Sequence, residues 1–60
     1  MKKGDKVTYS NNNKLEHGII KNLTNDSCAF VVYHCASDWQ NYEKYTAAKT
    51  AIEYLVEGWL

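Results

Sequence analysis

The run Cys28-Ala-Phe-Val-Val-Tyr-His-Cys35 decides the fold of this chain. It is the longest apolar stretch, and it is rich in the β-branched and aromatic residues that favour extended backbone. Because it is apolar on both faces, we expect an eight-residue strand in the centre of a sheet. In such a strand the two terminal cysteines would lie roughly 23 Å apart, too far for a disulfide.

The residues before this run predict two further strands. Lys3–Tyr9 reads as a tight turn followed by a strand with Val7 and Tyr9 on one face. Glu16–Leu23 reads as a second strand, and Gly18 within it indicates a bend or a bulge. Polar connections complete this half of the chain, a loop at Asn11–Asn13 and a hairpin turn at Thr24–Ser27.

The residues after the run predict a long loop and two short strands. In the loop, Ala36–Lys44, Ser37 is placed to cap one helical turn. Tyr45–Lys49 is expected to be the fourth strand, and Val56–Leu60 a closing strand. Between them, Thr50-Ala-Ile-Glu53 matches a capping box and predicts one helical turn.

Length and charge limit the classes of protein to be considered. Sixty residues make one domain, residues 1–60, with a core so small that we expect the protein to need a second copy for stability. Seven basic and seven acidic residues cancel, and every basic residue is Lys. The absence of Arg and of net charge disfavours nucleic-acid binding. With no apolar run long enough for a membrane span and no signal-like N-terminus, we expect a cytoplasmic protein.

The sequence predicts no metal, no cofactor and no catalysis. His17, His34, Cys28 and Cys35 lack the paired spacing of zinc ligands. A Cys-His dyad would need an orienting group and an enclosed pocket, which so small a domain can hardly provide. Three isolated glycines form no phosphate-binding loop.

Aromatic residues are the remaining signal. Six of the eight lie between Tyr33 and Trp59, and three of these recur every third residue in Trp39-Gln-Asn-Tyr42-Glu-Lys-Tyr45. These rings either fold back as a lid on the barrel or face a ligand. The predicted ligand-binding residues are Tyr33, His34, Trp39, Tyr42, Lys44, Tyr45 and Lys49. Trp59 and Leu60 are predicted to lie at an oligomer interface, since an exposed Trp needs a surface to pack on.

The elements together predict an all-β fold, a small barrel of four to five strands with one short helical turn before the last strand. The chain resembles small SH3-like (KOW-like) barrels in the order of Gly4-Asp5-x-Val7, Glu16-His17-Gly18-Ile19-Ile20, Phe30-Val31-Val32-Tyr33 and Thr50-x-x-Glu53-x-Leu55. It looks more specifically like short proteins of tailed-phage genomes in Val32-Tyr33-His34-Cys35, Trp39-x-x-Tyr42-x-x-Tyr45-Thr46-Ala47-Ala48 and Gly58-Trp59. The resemblance implies an SH3-like fold and a phage protein acting in the cytoplasm of an infected bacterium.

Three functions stay open at this stage. The first is a non-enzymatic homo-oligomer that captures a small nucleotide-like host signal between subunits, as a counter-defence protein would. The second is an SH3-like module whose aromatic groove grips a peptide or blocks a host protein. The third, disfavoured by charge, is a nucleic-acid accessory protein.

Overall fold

The protein is all-β, as the sequence predicts. A computed structural model describes residues 1–24 and 27–60. Five antiparallel strands form one sheet, with a 3₁₀ turn, Ile52–Tyr54, directly before the last strand. The strands are β1 (Lys6–Asn11), β2 (Lys14–Leu23), β3 (Cys28–Val32), β4 (Ala48–Ala51) and β5 (Leu55–Glu57). Their order across the sheet is β4-β3-β2-β1-β5, so β4 and β5 form its two edges.

Strand β3 is shorter than predicted, and it is an interior strand that lies beside the middle strand β2. It ends at Val32, and the chain turns at Ala36 and Ser37, which have φ of 51° and 66°. Left-handed backbone of this kind cannot continue a strand. Cys35 therefore lies beyond the strand, and the predicted eight-residue strand separating the two cysteines is wrong. The Cys35 side chain is buried.

The β1–β2 hairpin confirms the predicted asparagine loop at Asn12 and Asn13, whereas Asn11 belongs to β1. The predicted irregularity at Gly18 is wrong. Asn12 and Asn13 have φ of 50° and 66°, which suits a two-residue hairpin turn that keeps the strands twisted. Gly18 pairs regularly with Val7, and the register shift falls later, between Ile20 and Asn22. The predicted hairpin turn at 24–27 includes Asn25 and Asp26, which lie outside the described residues.

The predicted side-chain caps are also wrong. A long 3₁₀ segment, Trp39–Lys44, follows Asp38 without a side-chain cap. Thr50 belongs to β4, where its Oγ1 bonds to the Ala48 carbonyl and to the Tyr33 hydroxyl instead of capping the next turn. Strand β4 starts three residues later than expected, and β5 ends at Glu57. No helix in the described ranges is long and apolar enough to cross a membrane.

Both faces of the sheet are covered. One face carries the core of Val7, Ile20, Ala29, Val31 and Leu55. The residues that alternate with these point to the opposite face, and Thr8, Ile19 and Val32 are buried there. The C-terminal residues lie on this second face, where the Leu60 N–H donates to Thr8 Oγ1 and Thr8 Oγ1 donates to the Gly58 carbonyl. The long 3₁₀ segment also packs against the sheet, where it contacts β2.

Candidate functional site

A groove with a volume of about 660 Å³ opens on the core side of the sheet, and we call it the tyrosine groove. Its lining comes from the β1–β2 hairpin, from the end of β3, from β4 and from the 3₁₀ turn. The lining residues are Tyr9, Lys14, Leu15, Glu16, Tyr33, Lys49, Thr50, Ala51 and Tyr54. Ligand pockets typically have volumes of about 300–1,000 Å³, so this groove is large enough for a small molecule.

Three tyrosine rings form one corner of the groove. Tyr9 lies between the other two, with ring centroids 6.2 Å from Tyr33 and 6.1 Å from Tyr54. The planes of both pairs are steeply inclined, at 78° and 65°, so the rings meet edge to face. Edge-to-face packing stabilises the corner, and the Tyr54 residue at its outer side is 40% exposed.

Strand alternation and a glycine place these rings. Tyr9 follows the core residue Val7 by two positions, and Tyr33 follows Val31 by two, so both rings continue the core face beyond the apolar core. The Tyr33 ring passes over β2 at Gly18, which has no side chain. A Cβ atom on Gly18 would lie 2.5 Å from Val31 Cγ1 and 3.0 Å from Tyr33 Cδ1. Gly18 therefore makes room for Tyr33.

Tyr33 is fixed at its hydroxyl as well as at its ring. The hydroxyl lies 2.9 Å from Thr50 Oγ1, and Thr50 Oγ1 donates in turn to the Ala48 carbonyl at 3.3 Å. The bond between these two hydroxyls can form with either one as the donor. Burial raises the pKa of the Tyr33 phenol, against the smaller lowering effect of the Thr50 bond. The phenol therefore stays neutral at physiological pH.

Charged side chains of both signs line the groove. Lys14 and Lys49 are exposed, and neither forms an ion pair within the described part of the chain. Glu16 lies directly opposite Tyr9 in the β1–β2 register. Its Oε1 is 3.6 Å from His34 Nε2, and His34 is 87% exposed. The groove thus offers two cations and one carboxylate beside three rings.

Trp39 and Trp59 belong to a separate group on the opposite face, the tryptophan cluster of Lys6, His17, Trp39 and Trp59. The Trp59 ring stacks on His17 with centroids 5.1 Å apart and planes 5° apart, and it lies 4.9 Å from the Trp39 ring. Lys6 Nζ is 4.9 Å from the Trp59 ring centroid. The indole N–H of Trp59 donates to the Gly18 carbonyl at 2.9 Å. The cluster packs the C-terminal residues onto β1 and β2.

The other residues of the long 3₁₀ segment make contacts within the chain. The Asp38 carboxylate accepts bonds from the Asn41 amide and the Tyr45 hydroxyl, both at 2.9 Å. These bonds lower the pKa of Asp38, and the bond to Asp38 raises the pKa of Tyr45. The Tyr42 hydroxyl would lie only 3.3 Å from a Cβ atom on Gly4, so it packs near the N-terminal turn.

Two longer links tie this segment to the rest of the protein. Lys21 Nζ donates to the Tyr45 carbonyl at 2.8 Å. Lys3 and Glu43 form an exposed ion pair at 2.7 Å, which raises the pKa of the lysine and lowers that of the glutamate. Side-chain contacts therefore hold the segment at Asp38 before its start, at Glu43 within it and at Tyr45 after its end.

The predicted ligand-binding residues fall into separate places. Tyr33 and Lys49 meet in the tyrosine groove. Tyr33 and His34 also line a smaller hollow of about 240 Å³ with Thr46, Ala47 and Ala48. A third hollow, of about 390 Å³, lies beside Lys21 and Phe30. None of these three hollows is lined by Trp39, Tyr42, Lys44 or Tyr45.

At the predicted oligomer interface, Trp59 finds its packing partners within its own chain, while Leu60 is 66% exposed. The interface stays a prediction, although Trp59 no longer requires a second subunit to pack on. Among residues 1–24 and 27–60, no group of three or more His, Cys, Asp or Glu side chains is placed to hold a metal ion.

Sequence reasoning missed most of the groove. The residues not predicted are Tyr9, Lys14, Leu15, Glu16, Thr50, Ala51 and Tyr54. One signal was present: Tyr9 shares the strand face of Val7, and a polar-tipped ring at the end of a core-facing row is placed to line a barrel mouth. No local pattern brings Tyr54 to Tyr9, because that contact joins the two ends of the chain.

Comparisons of the chain with protein-family models, with curated proteins and with solved structures found no match.

Proposed function

We propose that the protein is a non-enzymatic binding protein that takes up a small nucleotide-like ligand in the tyrosine groove. The observation that carries this proposal is the corner of three tyrosine rings beside two lysines that form no ion pair among residues 1–24 and 27–60. Aromatic rings stack on a base regardless of its sequence context, and lysine is a common ligand for phosphate. The lining holds no Ser, Cys or His nucleophile with an adjacent base, which supports binding rather than catalysis.

A second copy of the chain is part of this proposal. The groove is open, whereas small-molecule sites bury about 70–90% of their ligand. Leu15 and Tyr54 line the groove with 61% and 40% of their surfaces exposed. A second subunit over this groove would cover both apolar side chains and the ligand. In the phage setting that the sequence resemblance implies, such a dimer would act as a counter-defence protein by sequestering a host nucleotide signal.

The test is calorimetric titration of the protein with nucleoside monophosphates, combined with mass spectrometry of small molecules released from protein purified from bacterial cells. We expect a phosphate-bearing heterocycle among the released molecules and saturable binding of at least one monophosphate. Lys49→Ala and Tyr54→Ala should each weaken binding about 5- to 150-fold, the equivalent of roughly 1–3 kcal/mol.

Matched controls come from the other aromatic region. Lys44→Ala and Tyr42→Ala remove a lysine and a tyrosine of the long 3₁₀ segment, and they should leave the affinity within about twofold. If these two variants lose binding while Lys49→Ala and Tyr54→Ala keep it, the ligand site is the 3₁₀ segment and the groove assignment is wrong. If no nucleotide binds and none is released from the purified protein, the proposed function fails.

A peptide is the second candidate ligand, and one observation favours it. Strand β4 is an edge strand of the sheet, and three of its residues, Lys49–Ala51, line the groove. An edge strand beside an aromatic groove is a place where an extended peptide can add to a sheet. In that case a bound extended peptide would protect amides of β4 from hydrogen exchange, which a mononucleotide bound to the rings would leave unchanged.

A further inference from the structure

We infer that Glu16 and Tyr9 select guanine as the base of the bound nucleotide. This inference rests on the proposed function, since it names the ligand of the same groove. Four observations support it: the pairing of these two residues across the strands, the hydrogen-bond capacity that each has left, the pattern of donors on the bases, and the distribution of charge in the groove.

The register places the two side chains side by side. Tyr9 and Glu16 are direct partners in the antiparallel β1–β2 pair, and both line the groove. Side chains of directly opposed residues have Cβ atoms about 4.5–5.5 Å apart on the same face of the sheet. The two side chains thus start from neighbouring positions on one face, from which a hydroxyl and a carboxylate can approach the same edge of a flat ligand.

The Tyr9 hydroxyl has its proton left to donate. Asn11 Nδ2 donates to this hydroxyl at 2.9 Å, so the oxygen already serves as an acceptor. Within the described part of the chain, the Tyr9 proton has no acceptor of its own. The hydroxyl is therefore oriented by Asn11 and available as a donor toward a ligand acceptor such as a carbonyl oxygen.

The Glu16 carboxylate has both oxygens left to accept. In the described residues its side chain lies next to the His34 ring, and 3.6 Å between Oε1 and Nε2 is too long for a hydrogen bond. An ionised carboxylate accepts two parallel N–H bonds readily, as it does from a guanidinium group. The groove thus presents two acceptor oxygens beside one donor.

Guanine is the base with the matching edge. It offers the N1–H and N2–H donors side by side, followed by the O6 acceptor, so one edge satisfies both carboxylate oxygens and the Tyr9 proton. Adenine, cytosine and uracil present a single donor position beside a ring nitrogen or carbonyl, which leaves one carboxylate oxygen without a partner. A base with one donor forms one hydrogen bond fewer with the carboxylate than guanine does, so the match discriminates between bases.

Charge sets the orientation of the nucleotide. A phosphate beside Glu16 would be repelled, whereas Lys49 lies on β4, two strands away from Glu16 in the sheet order. The base edge therefore faces Glu16 and Tyr9, its ring stacks on the tyrosine corner, and the phosphate lies toward Lys49. In this arrangement Glu16 faces the donors of the base and Lys49 faces the phosphate, so both charges meet groups that they attract. Lys14, at the hairpin end, has no part in it.

The experiment is calorimetric titration with guanosine, inosine and adenosine monophosphates. Inosine lacks only the N2 amine, so its comparison with guanosine isolates one donor. We expect guanosine monophosphate to bind about 5- to 150-fold more tightly than either, the range of a bidentate base contact.

Glu16→Gln should remove most of this preference while leaving the affinity for adenosine monophosphate within about twofold. Tyr9→Phe should weaken guanosine and inosine monophosphates alike, because both carry the O6 acceptor. Glu57→Gln, an exposed change on β5, is the matched control and should leave the affinities for all three nucleotides unchanged.

Each result decides the inference. Equal affinities for guanosine and adenosine monophosphates, or a guanine preference that survives Glu16→Gln, would overturn it while the proposed function stands. If none of the three nucleotides binds, the proposed function and the inference fall together.

Discussion

Gly18 shows how one missing side chain shapes both the core and the groove. It lies in β2 in regular register with Val7, at a negative or extended φ that any residue adopts. Its importance is spatial, because the place of its Cβ atom is taken by Val31 Cγ1 and Tyr33 Cδ1. The Gly18 carbonyl meanwhile accepts the Trp59 indole bond. Because Gly18 has no side chain, it makes room for the tyrosine groove on one face. On the other face its backbone carbonyl bonds to the tryptophan cluster.

Gly18→Ala should therefore destabilise the protein by about 1–3 kcal/mol, the usual cost of overpacking a filled core. The measurement is urea unfolding followed by tryptophan fluorescence. In a Val31→Ala background the cost should shrink, because that change removes the Cγ1 atom 2.5 Å from the new methyl group.

Gly58→Ala is the control for this prediction. A Cβ atom there meets nothing within 4 Å, but φ is +87°, so the cost of about 1–2 kcal/mol is backbone strain. That cost should be the same with Val31 or Ala at position 31. A Gly18→Ala cost that is likewise independent of position 31 would show that the close contact is not its cause.

At the scale of elements, the long 3₁₀ segment is held by side chains rather than by burial. None of its residues is fully buried, and the Asp38 carboxylate accepts the two bonds that join its start to Asn41 and Tyr45. Both bonds favour the ionised carboxylate, which is why the pKa of Asp38 falls below its ordinary value of 3.8. The order of this segment should consequently depend on pH.

The sign of this dependence follows from the lowered pKa. The folded protein binds the Asp38 proton less tightly than the unfolded chain, so the contribution is complete above 3.8 and is lost as pH falls through the lower folded value. Asp38→Asn should lower Tm by no more than a few degrees at about pH 7, and the two proteins should converge at about pH 2. Thermal scans across this range test the prediction, with Asp5→Asn as a control outside the segment. A difference that persists unchanged in acid would contradict it.

The C-terminal residues are a second element that depends on side chains. Trp59 connects β1, β2 and the 3₁₀ segment through Lys6, His17, the Gly18 carbonyl and Trp39. Trp59→Ala should cost about 2–4 kcal/mol in the free energy of unfolding, near the lower end of the range for a large aromatic truncation because the ring is only half-buried.

A double-mutant cycle with Trp39→Ala tests whether the two indoles act together. We expect a coupling energy of about 0.5–1.5 kcal/mol, the value for a packed aromatic pair. Urea unfolding monitored by circular dichroism gives the four stabilities without relying on the tryptophan signal. Strict additivity would mean that each ring stabilises the fold through other contacts and that Trp39 is free to serve a ligand.

At the scale of the whole molecule, the core is very small. Among residues 1–24 and 27–60, the main buried cluster holds five residues, with four more packed partly against it. Apolar burial in a domain of this size nearly cancels the ordering entropy. An exposed Leu15 and an exposed Tyr54 at the groove add apolar surface that a second copy would cover.

We therefore expect Tm to rise with protein concentration and the mass in solution to exceed 6.9 kDa. Light scattering and thermal scans over a hundredfold concentration range give both quantities. Leu15→Lys should shift the protein toward the monomer and weaken nucleotide binding, whereas Leu60→Lys should do so only if the C-terminal residues form the interface. A concentration-independent Tm with a 6.9 kDa particle would contradict the oligomer at either surface.

The sequence by itself determined the class of fold and the order of its elements. Alternation in β1 and the apolar run of β3 predict strands because a side chain's direction in a strand depends only on its position along the chain. The asparagine loop was predictable for a similar reason, since Asn tolerates the left-handed backbone that a tight hairpin needs. The strand ends and caps were not, because Thr50 and Asp38 bond to partners that local pattern does not specify.

Only the tertiary structure decided which aromatic residues share a site. The spacing of Trp39, Tyr42 and Tyr45 suggested one surface, yet Trp39 packs on Trp59, and Tyr45 bonds to Asp38. The groove instead gathers Tyr9, Tyr33 and Tyr54, whose contacts span more than twenty residues of chain. Such contacts depend on sheet register and on space left by Gly18, and these arise only when distant strands pair.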